Sequence, residues 1–567
     1  MTELFTSMTA QAVLAATNPM VEKLRYLYPE MVLFVTTVVV MIIGLSPRRA
    51  LRKSCAWLSG AGLVAAGVTA YYTSPELQTS ALPGLMPFAK LLIAAVGLLL
   101  VMVLAGTVDR DFEAELDRGR PFDAIRSNRA EFYAFFLFSL TGLMLCSAAD
   151  DLIWLFLALE LTSLPTYVMV SISTARSRSQ EAGVKYFFLG ALGAATFLYG
   201  FAMLYGATGT TTLFGSPENP GIAEVLSTQL ASGGLSPLAL IGLVISIVGV
   251  SFKVAAVPMH FYTPDVYQGA STSVAAFLAF VPKAAGFITL ALLLSTVGWE
   301  GPHGLPEPLR VLLWVMAALT MTVGNVMALL QSNIKRMLAY SSIAHTGYML
   351  VGLIVGPGAA AAGAPESSAI AGNGLAAMLF YLLCYGFMNL GAFAVLACLE
   401  RGGRGDDAGY EEVDTVDDLR GLYATHPVLA GVMVLSALSL LGFPVLLGFV
   451  GKLYLFTSAI SASEIVLVVV MGLNSAIGAF YYLRLVFAPF LTDADSRATP
   501  HRTTAFSARI LAATVSAVSV VALVVPSANL MRLCNHATRF VPRPAVPESP
   551  RADTSELPVP VVAASPE

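Results

Sequence analysis

Residues 247–270 read IVGVSFKVAAVPMHFYTPDVYQGA, an apolar run that takes in Lys253 and is then interrupted by Pro258, His260 and Asp265. A lysine inside such a run is costly if no water surrounds it, and a proline after it frees backbone carbonyls that need partners. Composition supplies the setting. Of the 567 residues, 56% are hydrophobic and 12% charged, and the mean hydropathy is +0.75. Apolar runs of about 20 residues, the length that crosses a roughly 30 Å hydrocarbon layer as a helix, recur along the chain. We count about fourteen, beginning near Glu30, Cys55, Phe88, Glu131, Asp151, Glu181, Leu238, Ser271, Pro308, Ile334, Leu375, Pro427, Glu464 and Ser507. The fold expected is an all-α polytopic membrane bundle.

A formal net charge of −4 provides no basic face and argues against a nucleic-acid partner. Cys55, Cys146, Cys384, Cys398 and Cys534 are scattered, without a CxxC pair, and read as core residues rather than a disulfide or metal site. The first twenty residues lack the cationic start of a secretory signal, so the span entered through YLYPEMVLF reads as a retained helix. Basic residues collect in SPRRALRK, DRGRPFDAIRSNR, TARSRSQ, NIKR, ERGGRGDD and DSRATPHR, which follow the first, third, fifth, ninth, eleventh and thirteenth runs. The intervening TSPELQTSALPGLMP, residues 206–236 and residues 357–374 contain no lysine or arginine. That alternation places the basic loops inside and both termini outside, although Arg532, Arg539, Arg543 and Arg551 depart from the rule. From about Val541 the tail is Pro/Ala/Ser/Glu-rich and is expected to be disordered.

Only eight of the 32 basic residues are lysines, and Lys185, Lys253, Lys283 and Lys452 fall in apolar spans. Arginine keeps its charge almost everywhere, whereas a buried lysine can gain and lose a proton near neutrality. Lysine is therefore the cation suited to a proton relay. Glu160, in the middle of DDLIWLFLALELTSLPTYV, is the natural counter-charge, either as a switchable partner or in a fixed ion pair. Glu181 and Lys185 are spaced i,i+4, which fits a helix-end pair equally well. Two lysine-bearing runs are interrupted: Pro258 follows Lys253, and Gly442, Pro444 and Gly448 precede Lys452. Broken helices beside ionisable residues mark ion sites in transporters, and an ordinary proline kink is the alternative. Lys283 follows Pro282 directly and is expected at a kink or low in its span.

The stretches EFYAFFLFSLTGLMLCSAADDLIWLFLALELTSLPTYV, EAGVKYFFLGAL, FKVAAVPMHFYTPDVYQGA, VPKAAGF, QSNIKRMLAYSSIAHTGYMLVG, GFVGKLYLF and NSAIGAFYYLRLVF, in this order, resemble the subunit N family of proton-pumping NADH:quinone oxidoreductase, respiratory complex I. The resemblance covers roughly residues 25–526. It implies fourteen transmembrane helices with two inverted five-helix repeats, each containing one broken helix. The layout implied is an external segment (1–25), three helices (26–130), the repeats (131–295 and 308–491), a last helix (492–530) and the tail (540–567). It also implies a relay in which Glu160 modulates Lys253, Lys283 lies on a central axis, Lys185 is the sixth-span lysine and Lys452 stands near the exit.

The resemblance implies no cofactor in this chain, with NADH, FMN, iron-sulfur clusters and quinone in partner subunits. The partners would be other membrane and hydrophilic subunits of the complex, and the location a bacterial inner membrane. A lysine in GFVGKLYLF favours subunit N over its sister subunit M, and no long lateral helix follows the last span, as subunit L would require. Val445, Ser271 and Ser273 stand where prolines are common in the family, and Tyr262 replaces a common tryptophan. His345 reads either as an extension of the polar axis or as a structural histidine near a helix start. His260 and Asp265 read as proton sites or as partners for freed backbone groups. The rival reading is a subunit of a multi-subunit Na+/H+ antiporter with the same fold; a stand-alone secondary transporter is a weaker third.

Overall fold

Backbone surrounded by hydrocarbon must close its hydrogen bonds within itself, and helices do so. The computed structural model describes residues 24–542, apart from 78, 175–176, 216–218, 300–303, 359–371, 402–410, 492–497 and 501–505. Most of the expected segment 1–25 and the tail from 543 lie outside the described residues.

The membrane-related helices are α1 (Tyr28–Gly44), α2 (Cys55–Thr73), α3 (Leu85–Leu104), α4 (Arg129–Ser147), α5 (Leu152–Ile172) and α6 (Ser177–Thr208). The seventh run is two helices, α7 (Pro237–Val254) and α8 (Thr263–Gly269). Then come α9 (Thr272–Val297), α10 (Glu307–Leu329), α11 (Ile334–Val355) and α12 (Gly374–Cys398). The twelfth run is again two helices, α13 (Pro427–Leu441) and α14 (Leu447–Ser461), followed by α15 (Ile465–Phe487), α16 (Phe506–Ala522) and α17 (Ser527–Ala537). Ten of these helices are long and apolar enough to cross a membrane singly. Of the others, α1, α2, the α13/α14 pair and α16 with α17 bent from it by 93° stand at the remaining four expected spans, and α8 is the second half of the seventh run.

Helix starts follow local chemistry. Asp151 accepts from the Ile153 and Trp154 amides, Asn333 from Arg336 and Asn373 from Ala376, so each satisfies amides that the first turn leaves free. Every residue of α9, and all but Arg336 of α11, is buried. These two helices and α12 form the centre. On the periphery, Val466, Leu473, Phe480 and Phe487 of α15 are exposed at seven-residue intervals, one face of two helical turns turned toward lipid.

A small feature departs from all-helical expectation. β1 (Leu399–Arg401), continuing directly from α12, pairs antiparallel with β2 (Glu411–Glu412) and β3 (Ala498–Pro500) on the side of the basic loops. Beyond β2 the chain crosses the start of α11: the Ile334 amide donates to the Asp414 carbonyl at 2.7 Å, and Asn333 bridges Thr415.

Candidate functional site

The α7 helix stops at Ala255, whose φ of +57° is left-handed, and its last carbonyls find partners across the break. The Ala255 and Ala256 amides donate to the carbonyls of Phe252 and Ser251, Tyr262 Oη donates to Phe252 O at 2.8 Å, and Thr346 Oγ1 to Val254 O at 2.6 Å. The break is thus held by side chains rather than left open. Lys253, in the last turn, lies where the helix dipole favours a cation. Its Nζ is 3.0 Å from Glu160 Oε1 and 2.5 Å from Ser163 Oγ, with the Phe197 and Phe252 rings within 6 Å. Lys253 and Glu160, 93 residues apart in sequence, are the pair expected.

Lys283 is not low in its span. The α9 helix runs through Pro282 for 26 residues and buries Lys283 near its middle, because neighbouring helices enclose it on every side. Its Nζ donates to the Ser342 carbonyl and, at 2.5 Å, to Thr346 Oγ1. Thr346 therefore touches both Lys283 and the broken end of the helix carrying Lys253. Lys452 lies on α14 and donates to Leu440 O (3.1 Å) and Leu441 O (2.8 Å), the last carbonyls of α13, with the Tyr348 ring 5.1 Å away. Both breaks therefore hold an ammonium at the C-terminal end of a half-helix.

His345 is at mid-helix rather than near a helix start, because the Asn333 cap begins α11 more than three turns earlier. Its Nδ1 is 2.7 Å from Tyr381 Oη and its Nε2 2.7 Å from Tyr482 Oη, so both ring nitrogens are engaged between the Lys283 and Lys452 regions. One turn away, Tyr385 Oη donates to Ser342 Oγ at 2.7 Å. The result is a buried polar axis of Glu160, Lys253, Thr346, Lys283, the Ser342/Tyr385 and His345/Tyr381/Tyr482 groups, and Lys452.

Lys185 is elsewhere. At 32 residues α6 is about 48 Å long, more than a hydrocarbon layer needs, so its first turns form the rim on the side of the basic loops. There Lys185, nearly half exposed, pairs with Glu181 at 2.7 Å and Asp265 at 3.5 Å, and Asp265 pairs with Arg336 at 2.6 Å. Asp265 thus serves a surface ion chain, and buried His260 lies in the break with Nδ1 unpartnered.

The departures from the family pattern have visible consequences. The Ser271 amide donates to Ser173 Oγ, and Ser273 Oγ lies 2.7 Å from Thr107 Oγ1; proline can make neither contact. Val445 has φ +76°, a conformation closed to proline. Tyr262 stacks on Phe252, with ring centroids 4.3 Å apart.

Sequence reasoning missed several buried charges, among them Arg52 and Arg129, which meet Glu113 at 3.0 and 3.3 Å. Lys90 meets Glu30 at 2.8 Å between α3 and α1, and Lys335 meets Glu412 at 2.8 Å. Lys90 was legible as a lysine three residues into the third run; Glu412 lies in a connecting stretch of sequence with no apolar pattern to mark it. Arg509 of α16 donates to Val103 O, Ala105 O and Ala397 O, joining the ends of α3 and α12.

A family model described as NADH:quinone oxidoreductase/Mrp antiporter, TM matches residues 149–478. The chain is 38% identical over 475 residues to NADH-quinone oxidoreductase subunit N of Trichlorobacter lovleyi, covering 82% of this chain and 86% of that one. Over 381 residues it is 43% identical to the subunit N of Myxococcus xanthus, covering 64% and 70%. Among solved structures it is similar to a chain of respiratory complex I from Thermus thermophilus with bound aureothin, at 32% identity and TM-score 0.68 over 89% of this chain and 99% of that one. A chain of the Mrp complex from Dietzia sp. shares the fold at 18% identity and TM-score 0.69, over 91% and 97%. With its broken helices and buried lysines in the expected runs, the chain belongs to the NADH-quinone oxidoreductase subunit N family of antiporter-like membrane proteins.

Proposed function

We propose that this chain is a proton-translocating membrane subunit of NADH:quinone oxidoreductase, moving protons while electrons pass from NADH to quinone in partner subunits. The observation that carries the reading is the Glu160–Lys253 pair, a carboxylate and an ammonium 3.0 Å apart at the end of a broken helix. Such a pair is a two-state element. Closed, each group stabilises the other's charge; open, the ammonium has no counter-charge and can pass its proton on. Thr346 offers a bridge toward Lys283, and the His345 tyrosines lead on toward Lys452. In this reading Glu160 modulates, Lys253 and Lys283 carry the proton, Lys452 stands toward the exit, and Lys185 belongs to the charged inner rim.

NADH, FMN, iron-sulfur clusters and quinone then belong to partner subunits, hydrophilic and membrane-embedded, in a bacterial inner membrane. Residues 131–295 and 308–491 act as two repeats, with both termini external. Extraction of the tagged chain in mild detergent tests the reading. Flavin and iron-sulfur absorbance with a set of hydrophilic subunits is the expected outcome. A colourless assembly of membrane subunits alone would contradict it.

A further inference from the structure

Glu412 stands at the inner ends of the two most enclosed helices. Its Oε2 is 2.8 Å from Lys335 Nζ in the first turn of α11, and its Oε1 accepts from the Thr272 amide in the first turn of α9 at 3.0 Å. Lys335 also donates to Ala270 O at 3.0 Å. The Glu412 side chain is 25% exposed against 4% for Lys335, so one member of the pair meets inner water while the other faces the bundle. The strand pairing of β2 and the Ile334–Asp414 hydrogen bond fix the carboxylate there.

Helical spacing then connects this pair to the buried axis. Lys335 and Ser342 are seven residues apart on α11, hence on one face and about 10 Å apart along it. Ser342 supplies the carbonyl that holds Lys283. Thr272 and Lys283 are eleven residues apart on α9, again on one face, and the positions between them on that face, Ala275, Ala276 and Ala279, have small side chains. At the foot of this strip the Ser271 hydroxyl is buried without a hydrogen-bond partner, and the Thr272 hydroxyl lies beside the Glu412 carboxylate. A buried unpartnered hydroxyl next to small residues is a place for internal water.

We infer that the Glu412–Lys335 pair is the inner-side proton-loading site for Lys283, an inference that rests on the proton-translocating reading above. The Glu412 carboxylate takes a proton from inner water and becomes a neutral acid, which weakens its hold on Lys335. The proton passes along the Ser271/Thr272 strip to a deprotonated Lys283, restoring the ammonium there and the carboxylate at Glu412; no electron moves. The resting state suits a shuttle rather than a store. Burial works to raise the Glu412 carboxyl, but Lys335 and the Thr272 amide outweigh it and hold the group below the usual carboxylate range. Among the described side chains, the charged groups facing Glu412 are Lys335 on α11 and, at longer range, Arg509 on α16; Glu400 of β1 is its cross-strand register partner.

The test uses the assembled complex with Glu412→Gln/Lys335→Gln, which removes both charges and leaves neither buried alone. Its proton-coupled turnover is expected to fall at least about tenfold at alkaline pH, where protons are scarce, and to recover toward wild type at acid pH. Wild-type turnover across the range, or a loss of equal size at every pH, would overturn the loading role and leave a structural ion pair. If the double variant does not assemble, Glu412→Asp is read instead. A smaller loss with the same alkaline bias supports the proposal, and a flat profile overturns it. Lys253→Ala measured alongside separates the two levels. Normal pumping there fails the underlying reading, whereas its loss beside an unaffected double variant fails only this inference.

Discussion

At the scale of single residues, the proposed relay turns on one ammonium and one carboxylate 3.0 Å apart, Lys253 and Glu160, and on the residues that surround them. Lys253 has a carboxylate partner, while Lys283 and Lys452 are held by carbonyls and a hydroxyl, neutral acceptors that bind an ammonium less strongly than a carboxylate does. Val445 fits its backbone conformation poorly. A β-branched side chain at φ +76° is strained, and glycine removes that strain, so Val445→Gly is expected to stabilise the α13/α14 break by about 1–2 kcal/mol. Thermal unfolding of the purified complex measures it; a lower midpoint would contradict the strain. Glu160 and the three axis lysines were legible because an ionisable group in an apolar run stands out. Their partners were not: nothing in the sequence says that Thr346 reaches both Lys283 and Val254, since that contact depends on how three helices cross.

Helix ends carry the organisation at the scale of elements. Both broken runs were readable from Pro258 and from Gly442 and Pro444, and the structure puts a lysine against the C-terminal end of a half-helix in each. Arg509 plays a comparable part from outside, with its guanidinium spread over carbonyls at the ends of α3 and α12 and, at 3.3 Å, Thr107 Oγ1. Arg509→Met keeps the bulk and strands those carbonyls. It is expected to cost about 3 kcal/mol, read as a lowered unfolding temperature and a smaller yield of assembled complex. Unchanged stability would mean that packing alone joins these ends. The small sheet and the 93° turn from α16 into α17 escaped sequence reading because strands of two or three residues and an 11-residue helix leave no long periodic pattern.

Across the whole molecule, the most buried helices are those that carry the axis, and the peripheral ones turn apolar faces outward. That arrangement lets charge sit in a membrane at tolerable cost, because α9 and α11 meet protein on all sides instead of lipid. The order of the apolar helices could be read from hydropathy, and their orientation was inferred from the basic loops. Which lysines lie deep could not, since Lys185 and Lys283 both sit in apolar runs and only the length of α6 and the enclosure of α9 separate them. A relay through the centre, driven from elsewhere in a larger complex, makes the state of the Glu160–Lys253 pair the central claim. The most direct measurement is the number of protons pumped per electron pair by the Lys253→Ala complex reconstituted in sealed vesicles. The account predicts an assembled complex that still transfers electrons but pumps far fewer protons than wild type. Wild-type pumping in that assembled variant would contradict it.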